Sequence, residues 1–428
     1  MVISFALMVS FVVINGDQET GALGSKTMSV NVQAREHKRV PLLLGVMGKQ
    51  GALFDVAEGI KKDLEFFGQF SVEIERLLAV RTKHEMQEWH EQGYQFALFM
   101  SQNFDGAIEW RVYDTQQALM LKGKKYIPQG SSEHFWAHTI ADEVVNVLTG
   151  MPGFFSTKIA YCKDVKVGKK KYKHVCVASF DGSNENVLVT TPTINIAPRW
   201  NRDYANPLLF YSESTNSNIR LMTVNMNGQR RIASNFDGLN MLPSFTKDGK
   251  KVVYCISRGG GSCQIYFYEK GKFKRLTKNN GNNVSPAFSD EGDKVFLCSD
   301  FETGHPQIYA YDVKTEDLER ITASGYCTSP SYCSRTGKVA YSKMVSGLMQ
   351  LFVYDTQSKT HTQLTSDTGN KDECSWSPCG NYLLYSVEKG RSGRLAMLNV
   401  NSLHQRFITS EHEHCSYPNW SPAYTVYA

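Results

Sequence analysis

The sequence predicts a small α/β domain followed by an all-β six-bladed propeller that a C-terminal strand closes. The first 150 residues alternate helical and extended patterns, whereas the rest of the chain reads as short strands separated by turns. From Ile196 onward the strand pattern also repeats, and a period near 44 residues is typical of solenoids, arrays and propellers. One aromatic residue marks each copy of the repeat, at intervals of 43 to 45 residues: Trp200, Phe245, Phe288, Tyr332, Trp376 and Trp420.

Each period contains four short apolar segments. A turn with glycine, such as Asp248-Gly249, follows the aromatic residue and supplies the positive φ that a hairpin needs. Four strands in a repeat of this length predict propeller blades, each burying both faces between its neighbours. In five of the six copies a proline stands two positions before the aromatic residue: Pro198, Pro243, Pro286, Pro330 and Pro418. In the remaining copy, that of Trp376, Cys374 takes the place of the proline.

The two ends of the repeat region complement each other. Residues 158–189 supply three strands of a blade but no aromatic first strand, and Tyr417–Trp420 is a first strand with nothing after it. We therefore predict that the C-terminal strand completes the blade that begins near Phe155. Such closure removes the unpaired edge that a linear array exposes.

An apolar run from Val2 to Ile14 opens the chain. It is shorter than the roughly 20 residues that span a bilayer and suits the apolar core of a secretory signal, with a buried or unstructured N-terminus as the alternative. We predict a signal-like segment and a flexible tail over residues 1–27, and no membrane span in the mature chain.

Residues 28–150 are predicted to form the α/β domain, and residues 151–428 the propeller. Buried strands are expected at Val40–Val46 and Phe96–Met100, and helices around Leu53–Phe67, His84–Glu91 and Trp136–Leu148. The glycines that follow the first strand match neither a dinucleotide-binding motif nor a phosphate-binding loop, so they indicate a plain turn into a helix.

The net charge is +5, with the basic residues concentrated in the propeller, which is compatible with an acidic partner. Lys163 to His174 contains six lysines, which indicates a solvated hairpin tip or a contact with an anionic envelope polymer; nucleic acid is disfavoured because few aromatic residues accompany the charge. All ten cysteines lie in the propeller region. Spacing would allow Cys327 to pair with Cys333, and Cys374 with Cys379, but does not establish either bridge.

Enzyme motifs are sparse. No G-x-S-x-G nucleophile elbow occurs. The closest approach to a metal cluster is Glu411–Cys415, and a zinc site usually needs further ligands. We therefore predict no catalytic residue, no cofactor and no metal, and keep as the alternative an envelope polysaccharide lyase or hydrolase with its site in the propeller channel.

Several stretches resemble one family over both domains. Gly51 to Phe70, Ile140 to Glu143 running on into Leu148 to Phe154, and Ser156 to Tyr161 are similar to the TolB family, periplasmic proteins of the Tol–Pal system. The phrase Pro286 to Gly292 resembles the P-x-W-S-P-D-G repeat of that family. The shared N-terminal domain and junction make the resemblance specific, because many propellers carry the repeat phrase alone.

The resemblance implies a monomeric, non-enzymatic periplasmic scaffold that supports envelope integrity and constriction during cell division. It implies that a Pal-like peptidoglycan-associated lipoprotein binds at one propeller mouth and that a TolA-like protein binds the N-terminal segment, the two events being coupled. Ordinary connecting loops are the plain alternative for each mouth residue. The N-terminal contact would lie at Met28, Ser29, Val30, Asn31 and Val32. The mouth would comprise Asn240, Met241, Leu242, Asn283, Val284, Ser285, Thr328, Ser329, Glu373 and Tyr417.

Overall fold

The structure is a computed structural model that describes residues 29–31, 39–48, 51–77, 83–127, 132–203, 205–215, 218–258, 261–390 and 392–423. The predicted signal segment and tail, residues 1–27, lie outside these residues. So do Met28 and Val32 of the predicted N-terminal contact.

The N-terminal domain is a five-stranded sheet with three helices. A short strand, β1, precedes it at Ser29–Asn31 and pairs elsewhere. The sheet has the order β3-β2-β4-β5-β6, with β2 parallel to β3 and β4 and the other pairs antiparallel. The elements are β2 (Val40–Met47), α1 (Ala52–Phe66), β3 (Phe70–Leu77), α2 (Lys83–Glu91), β4 (Phe96–Gln102), β5 (Ile108–Asp114), β6 (Leu119–Tyr126) and α3 (Glu133–Thr149).

The helices α1 and α3 pack on one face of this sheet, because each has its apolar residues at helical spacing along one side. Apolar residues of α1, among them Val56 and Ile60, pack with Ile140 of α3 against the strands. The side chain of Ser132 caps α3 by accepting a hydrogen bond from the backbone N–H of Phe135. Trp89 of α2 joins a separate apolar cluster on the opposite face of the sheet. The predicted α/β layering is confirmed.

Six blades of four antiparallel strands form the propeller, and β1 adds a fifth strand to one of them. In five of them, the strand that begins the repeat is innermost and the next three follow outward. The second blade comprises β10 (Asn195–Trp200), β11 (Leu208–Ser214), β12 (Ile219–Asn225) and β13 (Arg230–Ser234); the third, β14 (Asn240–Phe245), β15 (Lys251–Ile256), β16 (Gln264–Glu269) and β17 (Lys272–Arg275); the fourth, β18 (Asn283–Phe288), β19 (Lys294–Ser299), β20 (Gln307–Asp312) and β21 (Leu318–Arg320). The fifth comprises β22 (Cys327–Cys333), β23 (Lys338–Val345), β24 (Leu348–Asp355) and β25 (His361–Gln363), and the sixth β26 (Asn370–Trp376), β27 (Tyr382–Lys389), β28 (Ser392–Asn399) and β29 (Gln405–Phe407).

The first blade joins the two ends of the propeller, as predicted. Its outer strands are β7 (Lys158–Val167), β8 (Lys170–Ser179) and β9 (Asn186–Val189), and its innermost strand is β30 (Cys415–Trp420). The register sets Trp420 opposite Ile159. The C-terminal strand therefore closes the ring.

The strand β1 extends the fifth blade by one strand. It pairs in parallel with β25, with Ser29 opposite His361 and Asn31 opposite Gln363. The sequence analysis gave no indication of this pairing.

The two domains share one apolar core. Phe154 and Phe155, which follow α3, pack both against the helices and against Tyr382 and Trp420 of the propeller. The carboxylate of Asp142 in α3 accepts hydrogen bonds from the backbone N–H groups of Phe155 at 2.7 Å and Ser156 at 3.0 Å. Asp142 thus ties α3 to the start of the propeller.

The ten cysteines are all free and buried. Neither pairing that the spacing allowed, Cys327 with Cys333 or Cys374 with Cys379, is formed. Among helices in the described parts of the chain, none has the length and apolar character needed to cross a membrane.

Candidate functional site: the mouth of the propeller

Each of the six innermost strands carries a β-bulge at the same repeat position. Strand pairing shifts register there, three residues before the repeat aromatic. The bulged residue has a left-handed backbone although none of the six is glycine, a conformation that costs on the order of 1 kcal/mol or more. The six residues are Ala197 (φ 53°), Leu242 (55°), Ser285 (52°), Ser329 (54°), Glu373 (59°) and Tyr417 (55°).

The bulges shape one end of the central channel. All six line a cavity of about 830 Å³ that runs along the innermost strands. A bulge turns its side chain away from the regular alternation of the strand. Six strained residues facing a single cavity therefore form a ring-shaped mouth, and strain of this kind clusters at functional sites.

Two residues predicted for the mouth serve the fold instead. Asn240 is buried, and its Nδ2 donates to the carbonyls of Ile219 at 2.9 Å and Phe236 at 2.6 Å. Asn283 is equally buried, with its Nδ2 donating to Gly281 O at 3.0 Å. Both side chains hold the connection between neighbouring blades, and their amide groups bond within the fold.

The other predicted residues divide into two groups. Six of them line the cavity: Met241, Leu242, Ser285, Ser329, Glu373 and Tyr417. Met241 also packs half-buried on the apolar cluster between the third and fourth blades, as does Val284. Val284 and Thr328 are not among the residues that line the cavity.

Glu373 supplies a carboxyl group to one side of the mouth. Its Oε2 accepts a hydrogen bond of 2.6 Å from the backbone N–H of Tyr417 on the adjacent blade. Burial raises the pKa of Glu373 to about 8, and the neighbouring carboxylate of Asp372 adds to the rise. Glu373 is therefore largely protonated at neutral pH, and it presents a hydrogen-bonding group rather than a full charge.

Arg199 also lines the cavity, a residue that the sequence analysis missed. Burial lowers its pKa, while the carboxyl of Glu373 acts in the opposite sense. A signal for it was present in the repeat, because the position before the repeat aromatic is small or neutral in the other five copies. Those five residues are Ser244, Ala287, Ser331, Ser375 and Asn419.

A second cleft, of about 370 Å³, lies between the domains. Asp63 of α1 lines it, and its Oδ2 lies 2.5 Å from Nδ1 of His138. The Nε2 atom of His138 in turn lies 2.8 Å from Nε2 of His134. Burial raises the pKa of Asp63 and lowers that of His138.

No group of three histidine, cysteine, aspartate or glutamate side chains is arranged to hold a metal ion in the parts of the chain that the structure describes. In the Glu411–Cys415 stretch, Cys415 is buried in the core while His412 and His414 are exposed. These side chains do not converge on one point.

A family profile described as "TolB beta propeller domain" matches residues 145–424. The Tol-Pal system protein TolB of Gluconobacter oxydans (strain 621H) is 28% identical over 155 residues, covering 36% of this chain and 34% of that protein. The Tol-Pal system protein TolB of Rickettsia prowazekii (strain Madrid E) is 31% identical over 127 residues, covering 29% and 28%. The matched stretch thus spans about a third of each of these relatives.

A crystal structure of TolB from Acinetobacter baumannii superposes with a TM-score of 0.78. The match covers 91% of this chain and 98% of that chain at 22% sequence identity. The two proteins share the complete fold, from the α/β domain to the closed propeller.

Proposed function

The chain belongs to the TolB β-propeller family, and from this premise we propose that it is a non-enzymatic periplasmic scaffold of the Tol–Pal system. In this proposal the propeller mouth binds a Pal-like peptidoglycan-associated lipoprotein, and the N-terminal segment binds a TolA-like protein. Such a scaffold would support envelope integrity and constriction at cell division.

The observation that carries the proposal is the ring of six strained residues around the mouth. Each of these positions carries strain of about 1 kcal/mol and borders the cavity. A ring of short apolar and hydroxyl side chains, with one buried carboxyl group, suits the docking of a protein surface. Aliphatic and polar groups here would be desolvated together, as at the centre of a protein–protein interface.

A second observation supports a regulated N-terminal contact. Backbone pairing of β1 with β25 occupies Ser29–Asn31, the described part of the segment proposed to bind a TolA-like protein. A strand cannot pair with a blade and with another protein through the same backbone edge. We therefore propose that the partner pairs with the edge of β1 that faces β25, so that the segment must leave the fifth blade first.

The competing hypothesis is a polysaccharide lyase or hydrolase with its site in the channel. Glu373, with its raised pKa, is the group such an enzyme would use as an acid. Glycoside hydrolysis usually needs a second carboxyl group within about 10 Å. The neighbouring carboxyl group of Asp372 does not line the cavity, and Asp290 and Glu291, which do, follow the end of β18, away from the bulges. We therefore favour the scaffold.

The test is calorimetric titration of the full chain with the periplasmic domain of the Pal-like lipoprotein from the same cell. The variant Leu242→Asn removes an apolar side chain from the mouth, and asparagine tolerates a left-handed backbone better than leucine does. The fold should therefore be at least as stable, whereas binding should weaken about tenfold or more, the effect of losing roughly 1.4 kcal/mol.

The matched control is Lys270→Asn. Lys270 has a φ of 48° in the exposed turn between β16 and β17, at the end of the blade opposite the mouth. The Lys270→Asn variant should have the same reduction in left-handed backbone strain and should bind the partner as the unchanged chain does. If both variants bind equally well, the partner does not use the mouth. If the folded, unchanged chain does not bind at all, the proposed function is wrong.

A further inference from the structure

A basic hairpin rises above the mouth of the propeller. The strands β7 and β8 stay paired out to Val167 opposite Lys170, whereas the innermost strand β30 ends at Cys415, opposite Lys163. Four residues of β7 therefore extend past the end of the sheet, a projection of roughly 13 Å. We call Asp164–Lys173 the lysine hairpin.

The base of the lysine hairpin is anchored to the mouth. The Nζ atom of Lys173 lies 3.1 Å from Ser416 Oγ and 5.9 Å from the centre of the Tyr417 ring. The carbonyl of Lys173 accepts a hydrogen bond of 2.8 Å from Asn195 Nδ2, at the start of the second blade. The hairpin thus stands directly beside the bulged residue Tyr417, over the joint between the first and second blades.

Charge at the base is neutralised, whereas charge at the tip is not. Lys173 pairs with Asp164 at 2.5 Å, and Lys163 pairs with Glu413 at 2.5 Å. In the described parts of the chain, no ion pair involves the four lysines of the tip. These exposed residues are Lys166, Lys169, Lys170 and Lys171.

The arrangement at the tip is unfavourable for the hairpin itself. Lys166 stands directly opposite Lys171 in the register, and like charges facing each other across a strand pair are destabilising. A two-stranded ribbon beyond the edge of its sheet has little else to stabilise it. A neutral residue at either position would make the hairpin more stable, so its own folding does not account for the charge.

We propose that the lysine hairpin guides an acidic protein surface onto the mouth. This inference rests on the proposed function and adds that the docking partner carries a cluster of aspartate and glutamate side chains beside the part that enters the mouth. Uncompensated lysines ahead of the docking site raise the rate of encounter with such a surface, and the effect falls with salt. An anionic polymer would be expected to bind a row of basic residues that extends across the surface. These lysines instead lie together at one hairpin tip next to the mouth.

The test measures association and dissociation rates of the same lipoprotein domain over a range of salt concentrations. The variant replaces the four tip lysines by glutamine. The expected result is an association rate constant reduced about tenfold or more at low salt, an almost unchanged dissociation rate, and convergence with the unchanged chain at about 1 M salt, where the Debye length is about 3 Å. Replacement of the same residues by arginine should preserve the rate.

The control removes the same charge from the opposite end of the blades. It replaces Lys250, Lys270, Lys272 and Lys314, which are exposed and lie in or beside the turns far from the mouth. If the tip and control variants associate at the same rate, the inference is wrong while the proposed function stands. If only retention on immobilised polyphosphate responds to the tip variant, the hairpin binds an anionic polymer instead. If the unchanged chain does not bind the lipoprotein, both proposals fail.

Discussion

The indole of Trp420 donates a hydrogen bond of 2.7 Å from Nε1 to Oγ1 of Thr157. Trp420 ends the innermost strand of the first blade, and Thr157 immediately precedes the next strand of that blade. The same indole packs edge-on against Phe154, with ring centroids 5.5 Å apart. One side chain therefore joins ring closure to the domain junction, and damage to it should disturb both.

Removal of the Trp420 side chain should destabilise the protein severely. The change Trp420→Ala leaves a cavity in the shared core, which costs about 3–5 kcal/mol.

Deletion of residues 416–428 also removes the innermost strand and should abolish the cooperative thermal transition. Calorimetric scanning measures both effects. Thr157→Val keeps the shape and removes a hydroxyl that accepts from Trp420 and donates to Phe154 O, so it should cost about 1–3 kcal/mol. A truncated chain that melts at the temperature of the full chain would contradict ring closure.

The junction should tolerate no side chain at Gly153. A Cβ atom there would lie 2.2 Å from Asp142 Oδ1 and 2.4 Å from its Cα. Gly153→Ala must displace the carboxylate that holds Phe155 and Ser156, at a cost of about 1–3 kcal/mol in urea unfolding. Gly261→Ala is the control, because its nearest contact would be 3.4 Å away. Equal stability of the two variants would mean that the junction is loosely packed.

The carboxyl of Glu373 should make stability fall as pH rises. Its pKa is about 8 in the folded protein and close to its ordinary value of 4.5 in the unfolded chain. Between these values the folded state holds a proton that the unfolded state has released, so the free energy of unfolding decreases with pH across this window. Below about pH 4.5 both states are protonated, and the penalty disappears.

Glu373→Gln should remove this penalty, since glutamine can still accept the hydrogen bond from Tyr417. We expect the variant to match the unchanged chain near pH 4 and to exceed it by a few kcal/mol at about pH 8. Urea unfolding at several pH values measures the difference. Glu388→Gln, an exposed carboxylate of the same blade, should show no comparable divergence. A constant difference between the Glu373 variant and the unchanged chain would contradict the raised pKa.

The repeat carried enough information to predict the propeller and its closure. Aromatic residues such as Trp200 and Trp376 are buried between blades, so their spacing follows directly from the geometry of the ring. The helices were also predictable, because residues such as Val56 and Ile60 recur on one apolar face. These features depend on the spacing of aromatic and apolar residues along the chain, which can be read from a single sequence.

The site was predicted less completely, because its features depend on position in the ring. Asn240 and Leu242 are close neighbours in sequence, yet one fastens a loop inside the protein and the other lines the cavity. The two residues differ because of the bulge at Leu242. A bulge depends on how the strands pair, and the residue types do not indicate it. The pairing of β1 with β25 required the assembled ring, since it brings together parts of the chain that are far apart in sequence.

The composite first blade also determines when the protein can fold. Its outer strands cannot complete their sheet until β30 is available, because the other five blades lie between them along the chain. Until then the inner edge of β7 is an unpaired strand edge, and any other exposed strand can compete for it. The chain is therefore most exposed to misassembly just before β30 docks.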